Sequence, residues 1–147
     1  MGSCKDKALD LVARRPHFQR ELRHKLLDRG FAIEEVDSAL EDVARLGLLD
    51  DPGAARDLAA GPMTRKGFGP RRMRMELLRR GVDETTVETV LAELFEEVEE
   101  EYRRAREAAS RQGIGKTVDR DRLARHLDRK GYSKAVILQV LRDLEGD

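Results

Sequence analysis

A chain of 147 residues fits one domain of usual size, and with no Trp, two Tyr and four Phe any core must be built from Leu, Val, Ala, Ile and Met. Lys plus Arg equals Asp plus Glu at 29 each, so no bulk positive field draws the protein toward nucleic acid or an anionic membrane. No apolar run approaches the roughly 20 residues of a membrane span or resembles a secretory leader, and the single Cys4 has no partner for an internal disulfide, so a cytoplasmic protein is expected.

Helical periodicity starts at once. Ala8, Leu9, Leu11 and Val12 share one face of a helix over 5–15, and Pro16 stops it. Phe18, Leu22 and Leu26, four apart, predict a second helix over 17–29 with Gly30 as its left-handed cap. A third begins near Ile33, turns Val36, Leu40 and Val43 inward, and ends at Gly47. Asp51-Pro52 is a start signal for a fourth, which Gly61-Pro62 is expected to interrupt.

Gly67-Phe68-Gly69-Pro70 then predicts a tight turn into a strong helix over 71–80. After Gly81-Val82, Asp83 caps a helix with Val87, Val90, Leu91 and Leu94 inside. No glycine separates that helix from the segment 96–112, so the two either merge or bend near Phe95. Gly113 and Gly115 make the next turn, Asp119 or Asp121 caps a helix through Arg129, and Ser133 caps the last one through about Leu144. Apolar spacings of three and four, without β-branched runs or hairpin dipeptides, predict no strand.

One string occurs three times: Leu22, Leu26, Arg29-Gly30-Phe31, Val36, Leu40; then Met73, Leu77, Arg80-Gly81-Val82, Val87, Leu91; then Leu123, Leu127, Lys130-Gly131-Tyr132, Ile137, Leu141. The glycines stand 51 and 50 residues apart. Such a period predicts an all-α fold of tandem three-helix repeats in an elongated curved body, with units at 1–50, 51–95 and 96–147, each burying its apolar face with help from its neighbours. That architecture suits binding better than catalysis.

The chain is neutral in sum but polarised along its length. Arg65, Lys66, Arg71, Arg72, Arg74, Arg79 and Arg80 face a single acid, Glu76, in the stretch 65–80, whereas 93–101 holds six acids and no base. Guanidinium groups after a rigid Gly-Pro turn pair bidentately with carboxylates or phosphates, and seven nearly unneutralised cations are expected to meet a partner. The acidic run reads as a solvated face balanced by Arg103, Arg104 and Arg106.

Other patterns fail on their context. Gly113-Ile114-Gly115-Lys116-Thr117 ends like a phosphate loop, but Ser110 stands where the first glycine belongs and a helix precedes it where a strand is needed. Gly67 and Gly69 lack the strand and third glycine of a dinucleotide fingerprint. His17, His24, His126 and Cys4 show no ligand spacing, and the histidines read as surface polar residues. With no nucleophile motif either, neither enzymatic activity, metal nor cofactor is expected.

The strings Leu46-Gly47-Leu48-Leu49-Asp50-Asp51 and Gly67-Phe68-Gly69-Pro70-Arg71-Arg72, with Arg74, Glu76-Leu77 and Arg80-Gly81-Val82, resemble the RecX family of bacterial recombination regulators. So does Ala8-Leu9 through Arg20-Glu21-Leu22-Arg23, Lys25-Leu26 and Gly30-Phe31. The resemblance spans essentially the whole chain. It implies a monomeric, non-catalytic crescent of three three-helix repeats, lying in the groove of the RecA recombinase filament and lowering its ATP hydrolysis and strand exchange, with a role in DNA repair and the SOS response. By the same resemblance Gly67, Phe68, Gly69, Pro70, Arg71 and Arg72 form the central turn and Arg74, Arg79 and Arg80 extend its basic helix; on charge alone, Arg65 and Lys66 join the expected partner-binding stretch. The alternative is a helical nucleic-acid-binding module that uses the basic stretch on phosphates and acts by competing for DNA. The segment 52–62 departs from the family pattern, with two helix breakers and no large side chains, so looser packing is expected there.

Overall fold

The computed structural model describes residues 2–112 and 119–146, and every regular element among them is helical. Three helices come first: α1 (Cys4–Arg14), α2 (Gln19–Asp28) and α3 (Ile33–Arg45). Ser3 opens α1 with a reciprocal cap, its hydroxyl accepting from the Asp6 amide while the Asp6 carboxylate accepts from the Ser3 amide. Leu11, Leu22, Leu26, Val36, Leu40 and Val43 close one core. Gly30 and Gly47 have φ of 89° and 76°, the left-handed conformation expected of them.

Next come α4 (Asp51–Leu58), α5 (Pro70–Arg79) and α6 (Glu84–Leu94) around a second core of Ala55, Ala59, Met63, Met73, Leu77, Val87 and Val90. The expected break at Gly61-Pro62 does not occur. A π-helical turn (Ala59–Met63) follows α4 directly and takes Pro62 inside it. Proline removes one amide donor and crowds the carbonyl four residues back; the wider turn relieves the crowding. The Thr64 hydroxyl donates to the Ala59 carbonyl at 2.7 Å. Ala55 and Ala59 are fully buried in the second core, so the segment is anchored there rather than loosely packed.

The cap of α4 is Asp50, one residue before the expected Asp51. Phe95 ends α6 as a break, and α7 (Glu100–Ser110) starts a separate helix. With α8 (Arg120–Lys130, capped by Asp119) and α9 (Lys134–Gly146), α7 encloses a third core of Ala105, Ala108, Leu123, Leu127, Tyr132, Ile137, Val140 and Leu141. The expected turn at Gly113 and Gly115 lies outside the described residues. A surface of 9206 Å² for 16.7 kDa exceeds by about a fifth what a compact monomer of that mass exposes, consistent with three small cores in a row.

One residue crosses between cores. Phe18, just ahead of α2, is buried among the α4–α6 residues rather than its own group. The first turn of α2 therefore docks on the next helical group, and α5 repeats that arrangement one period later.

Candidate functional site

The basic turn singled out by sequence sits where α5 meets the end of α8. Gly67, at φ 77°, ends the preceding helical segment, Phe68 and Gly69 are buried, and Pro70 is the first residue of α5. No side chain caps α5. Instead the Gly69 amide donates to the Lys130 carbonyl at 2.7 Å and the Arg71 amide to the Gly131 carbonyl at 3.0 Å. The amides at a helix start and the carbonyls at a helix end both lack intrahelical partners, and here each set satisfies the other.

This arrangement explains why arginines occupy the first turn of α5, where a helix disfavours positive charge. Electrostatically they belong to the carboxyl end of α8. Arg71 donates to the Asp128 carboxylate at 2.9 Å and its carbonyl at 3.2 Å, and Arg72 donates to the Arg129 carbonyl at 3.0 Å. The approach requires glycine on both sides. A β-carbon at Gly131, where φ is 99°, would stand 2.3 Å from the Arg72 amide nitrogen, and one at Gly69 would stand 2.7 Å from the Gly131 carbonyl oxygen.

Phe68 is the centre of a cationic cluster. The Arg72 guanidinium lies 4.4 Å from its ring centroid, the Lys130 ammonium 5.5 Å and the Lys66 ammonium 5.9 Å. Burial pulls the Lys130 ammonium below its ordinary pKa, and the charges of Arg72, Arg111 and Lys66 add to the effect. Lys130 in turn donates to the Lys66 carbonyl at 2.8 Å, and Arg111 to the Arg65 carbonyl at 3.1 Å. The Tyr132 hydroxyl donates to the Gly67 carbonyl at 2.8 Å, and its burial pushes the phenol up to about 12.

The stretch 65–80 is therefore far better neutralised than its sequence suggests. Arg74 pairs with Glu88 at 2.6 Å, Arg79 with Glu76 at 2.7 Å, and Arg72 with Glu76 at 3.1 Å. Burial raises the Glu76 carboxyl, but hydrogen bonds and charge from Arg72 and Arg79 outweigh it and hold the group below the usual range. Arg65, Lys66 and Arg80 alone in that stretch have no carboxylate partner among the described residues. Gly67, Phe68, Gly69, Pro70, Arg71 and Arg72 thus form a joint inside the molecule, with Arg65 and Lys66 just before it, Arg74 farther along α5, and Arg79 and Arg80 at the far end of that helix.

Sequence reasoning missed the receiving half of the joint: Asp128, Lys130, Gly131 and Tyr132. The signal was present in the third copy of the repeat, Lys130-Gly131-Tyr132, whose glycine reads as a helix stop but also bares the backbone on which α5 lands.

The acidic run meets the expected Arg103 and Arg104 at Glu100, but Glu93 and Glu101 find partners elsewhere in the fold. Glu93 pairs with Arg56 at 2.7 Å, Glu100 with Arg104 at 2.8 Å and also with Arg103, and Glu101 accepts from the Ser133 amide at 2.7 Å. His17, expected at the surface, is instead buried, with Nδ1 2.9 Å from the Arg15 carbonyl and Nε2 2.8 Å from the Lys25 ammonium. Burial lowers its pKa, so it packs as a neutral ring. No group of three His, Cys, Asp or Glu suited to a metal occurs among the described residues.

Two family models match the chain: RecX, first three-helix domain, over residues 4–42, and RecX, second three-helix domain, over 50–91. A protein from Thermotoga petrophila named Regulatory protein RecX is 37% identical over 95% of this chain and 83% of its own length. The chain belongs to the RecX family. A Vibrio vulnificus protein of the same name is 41% identical over 63% of the chain and 60% of its own length. In solved structures, the crystal structure of RecX from Lactobacillus salivarius superposes with a TM-score of 0.80 at 17% identity, covering 98% of this chain and 96% of that one. The structural match establishes that the fold is shared. Family membership makes this chain a RecX-type regulatory protein, and no helix among the described residues is long and apolar enough to cross a membrane.

Proposed function

We propose that this protein binds the RecA recombinase filament in the cytoplasm as a monomer, without catalysing a reaction, and lowers its ATP hydrolysis and strand exchange in homologous recombination and repair. The observation that carries the reading is family membership across 95% of the chain, including the basic turn, with relatives named as regulatory proteins. Three repeats at 1–50, 51–95 and 96–147, joined end to end, would present a long surface able to touch more than one filament subunit. A ligand that favours one filament state over another shifts the filament by its differential affinity, so regulation needs no active site.

Within the basic stretch, Arg65, Lys66 and Arg80 carry the partner contact in this reading, because their charges are not consumed inside the molecule. Arg71 and Arg72 act indirectly, by setting the angle between the second and third repeats. The test is ATP hydrolysis by the recombinase of the same organism on saturating single-stranded DNA, titrated with this protein and with an Arg65→Ala, Lys66→Ala variant. Suppression by the parent and weaker suppression by the variant supports the reading; absence of any effect on ATP hydrolysis overturns it.

A second reading is favoured by the Lys66 and Lys130 ammonium groups, which share the Phe68 ring without a carboxylate partner and would suit phosphates. There the protein competes for DNA. Its binding would survive without recombinase and fall steeply as salt rises, whereas a protein interface would need the recombinase and respond less to salt.

A further inference from the structure

The joint between the first two helical groups brings together the same parts as the Gly131 joint, a helix start over a left-handed glycine, but leaves two of its arginines unpaired. The stem of Arg20, from the first turn of α2, lies across Gly81: a β-carbon there would stand 2.8 Å from Arg20 Cβ and 2.9 Å from its Cδ. Beside it opens a cleft of about 530 Å³ lined by Arg20, Glu21, His24, Leu78, Arg79, Arg80 and Gly81. Glu21 is already held by Arg15 at 2.6 Å and Arg79 by Glu76 at 2.7 Å. Arg20, His24 and Arg80 have no side-chain hydrogen bond or ion pair among the described residues. At the other joint the arginine in Arg20's repeat position, Arg71, is bonded to Asp128; here no acid takes that place.

We propose that this cleft is a docking site for an acidic peptide segment of a protein partner, with carboxylates on Arg20 and Arg80 and an apolar side chain against Leu78 and Gly81. Two features favour a peptide over nucleic acid. No Phe, Tyr or Trp lines the cleft, so it offers no platform for stacking the bases of a single strand. Its volume and position between two helices suit a few side chains, whereas the backbone of a duplex needs an open cationic stripe. Two guanidinium groups that each complete a fork with a carboxylate give strength and direction, while half-buried Leu78 gives the peptide an apolar anchor.

The inference rests on the protein-binding reading above and adds the chemistry of the segment that is bound. It is tested without recombinase, so its failure leaves the ATP hydrolysis test standing. A fluorescein-labelled peptide alternating glutamate and leucine is titrated with the full chain and followed by anisotropy, beside oligothymidylate and a lysine–leucine peptide of the same length. The expected result is saturable binding of the acidic peptide alone, weakened about tenfold or more in an Arg20→Ala, Arg80→Ala variant and by less in Arg20→Lys, Arg80→Lys, which keeps the charges but loses the forks. The lysine variant retains the stem over Gly81, and unchanged helix content of both variants by circular dichroism removes misfolding as a cause. The proposal is overturned if the acidic peptide does not bind, if the alanine variant binds it unchanged, or if oligothymidylate binds instead and is lost in that variant.

Discussion

At one joint the first turn of α2 lies over Gly81; at the other the first turn of α5 lies over Gly131. The parts correspond, one repeat apart, but the bonding does not. Across the Gly131 joint run two backbone hydrogen bonds, the Arg71 and Arg72 contacts to the end of α8, and the bonds of Tyr132, Lys130 and Arg111 to carbonyls of the 65–67 segment. Across the Gly81 joint, burial of Phe18 is joined by a bond from the Gln19 amide to the Asp51 carboxylate at 3.0 Å. The same repeat therefore yields one stiff seam and one lightly tied seam. Stiffness comes from matching the orphan amides of one helix to the orphan carbonyls of another, which α5 and α8 do and α2 does not.

Three glycines isolate this difference. Gly30, Gly81 and Gly131 occupy equivalent positions at φ of 89°, 92° and 99°, so alanine costs each a similar left-handed strain of roughly 1–2 kcal/mol. Their surroundings diverge: nothing within 4 Å of a β-carbon at Gly30, the flexible Arg20 stem at Gly81, and the Arg72 backbone at Gly131. Urea denaturation should rank Gly131→Ala as worst, about 3 kcal/mol or more, then Gly81→Ala, then Gly30→Ala near the strain alone. Equal losses at all three would mean that the Gly131 approach is not tight. Leu77→Ala, in the second core and fully buried, sets the scale with an expected loss of about 3 kcal/mol.

Tyr132 offers a pH handle on the stiff seam. Its folded pKa, about 12, lies above the ordinary value of 10, so the seam's stabilisation is complete below pH 10 and is lost as pH rises toward 12. The loss should approach about 2 kcal/mol by denaturation at pH 11.5 compared with pH 9. Tyr132→Phe should forfeit about 1 kcal/mol at neutral pH, by leaving the Gly67 carbonyl without its donor, and should abolish most of the alkaline loss. Arg71→Ala belongs lower in the ranking, at up to about 1 kcal/mol, since its pair with Asp128 is half-exposed on both sides.

Much of the fold was legible because local signals coincide with it. Asp83 and Ser133 cap where expected, Asp119 is the cap of the two aspartates considered, and the three repeat strings mark the helices that build the three cores. Gly61-Pro62 misled because the strong local rule, that proline ends a helix, yields to a π turn when neighbours hold it: Thr64 bonds Ala59 and receives the Arg104 guanidinium at 2.9 Å. The basic stretch misled for a different reason. Charge counted along the chain sees Glu76 alone, whereas Glu84, Glu88 and Asp128 reach the same arginines only after folding. Periodicity showed that Gly131 ends a helix; that another helix start lands on it is a long-range fact with no local signature.

The smallest predicted effect tests the lightly tied seam. The Asp51 carboxylate accepts from the Gln19 amide at the start of α2, a place where negative charge is favoured. Burial, aided by the charges of Asp83 and Asp50, nevertheless raises its pKa above the ordinary value, against the pull of the Gln19 bond. A carboxyl raised on folding favours the folded state most when protonated, and that contribution fades as pH climbs through the folded pKa. At pH 7 the charge on Asp51 is thus a cost that the hydrogen bond offsets. Asp51→Asn keeps an acceptor oxygen and removes the charge, so its stability should match or slightly exceed the parent at pH 7 and converge with it in acid. Asp51→Ala should lose only about 0.5 kcal/mol, and the Gln19 amide should exchange with deuterium well before those of Gly69 and Arg71. A loss above about 2 kcal/mol for Asp51→Ala, or equal protection of the three amides, would put the two seams on the same footing, and the unequal end-to-end matching of helices could not then be what distinguishes them.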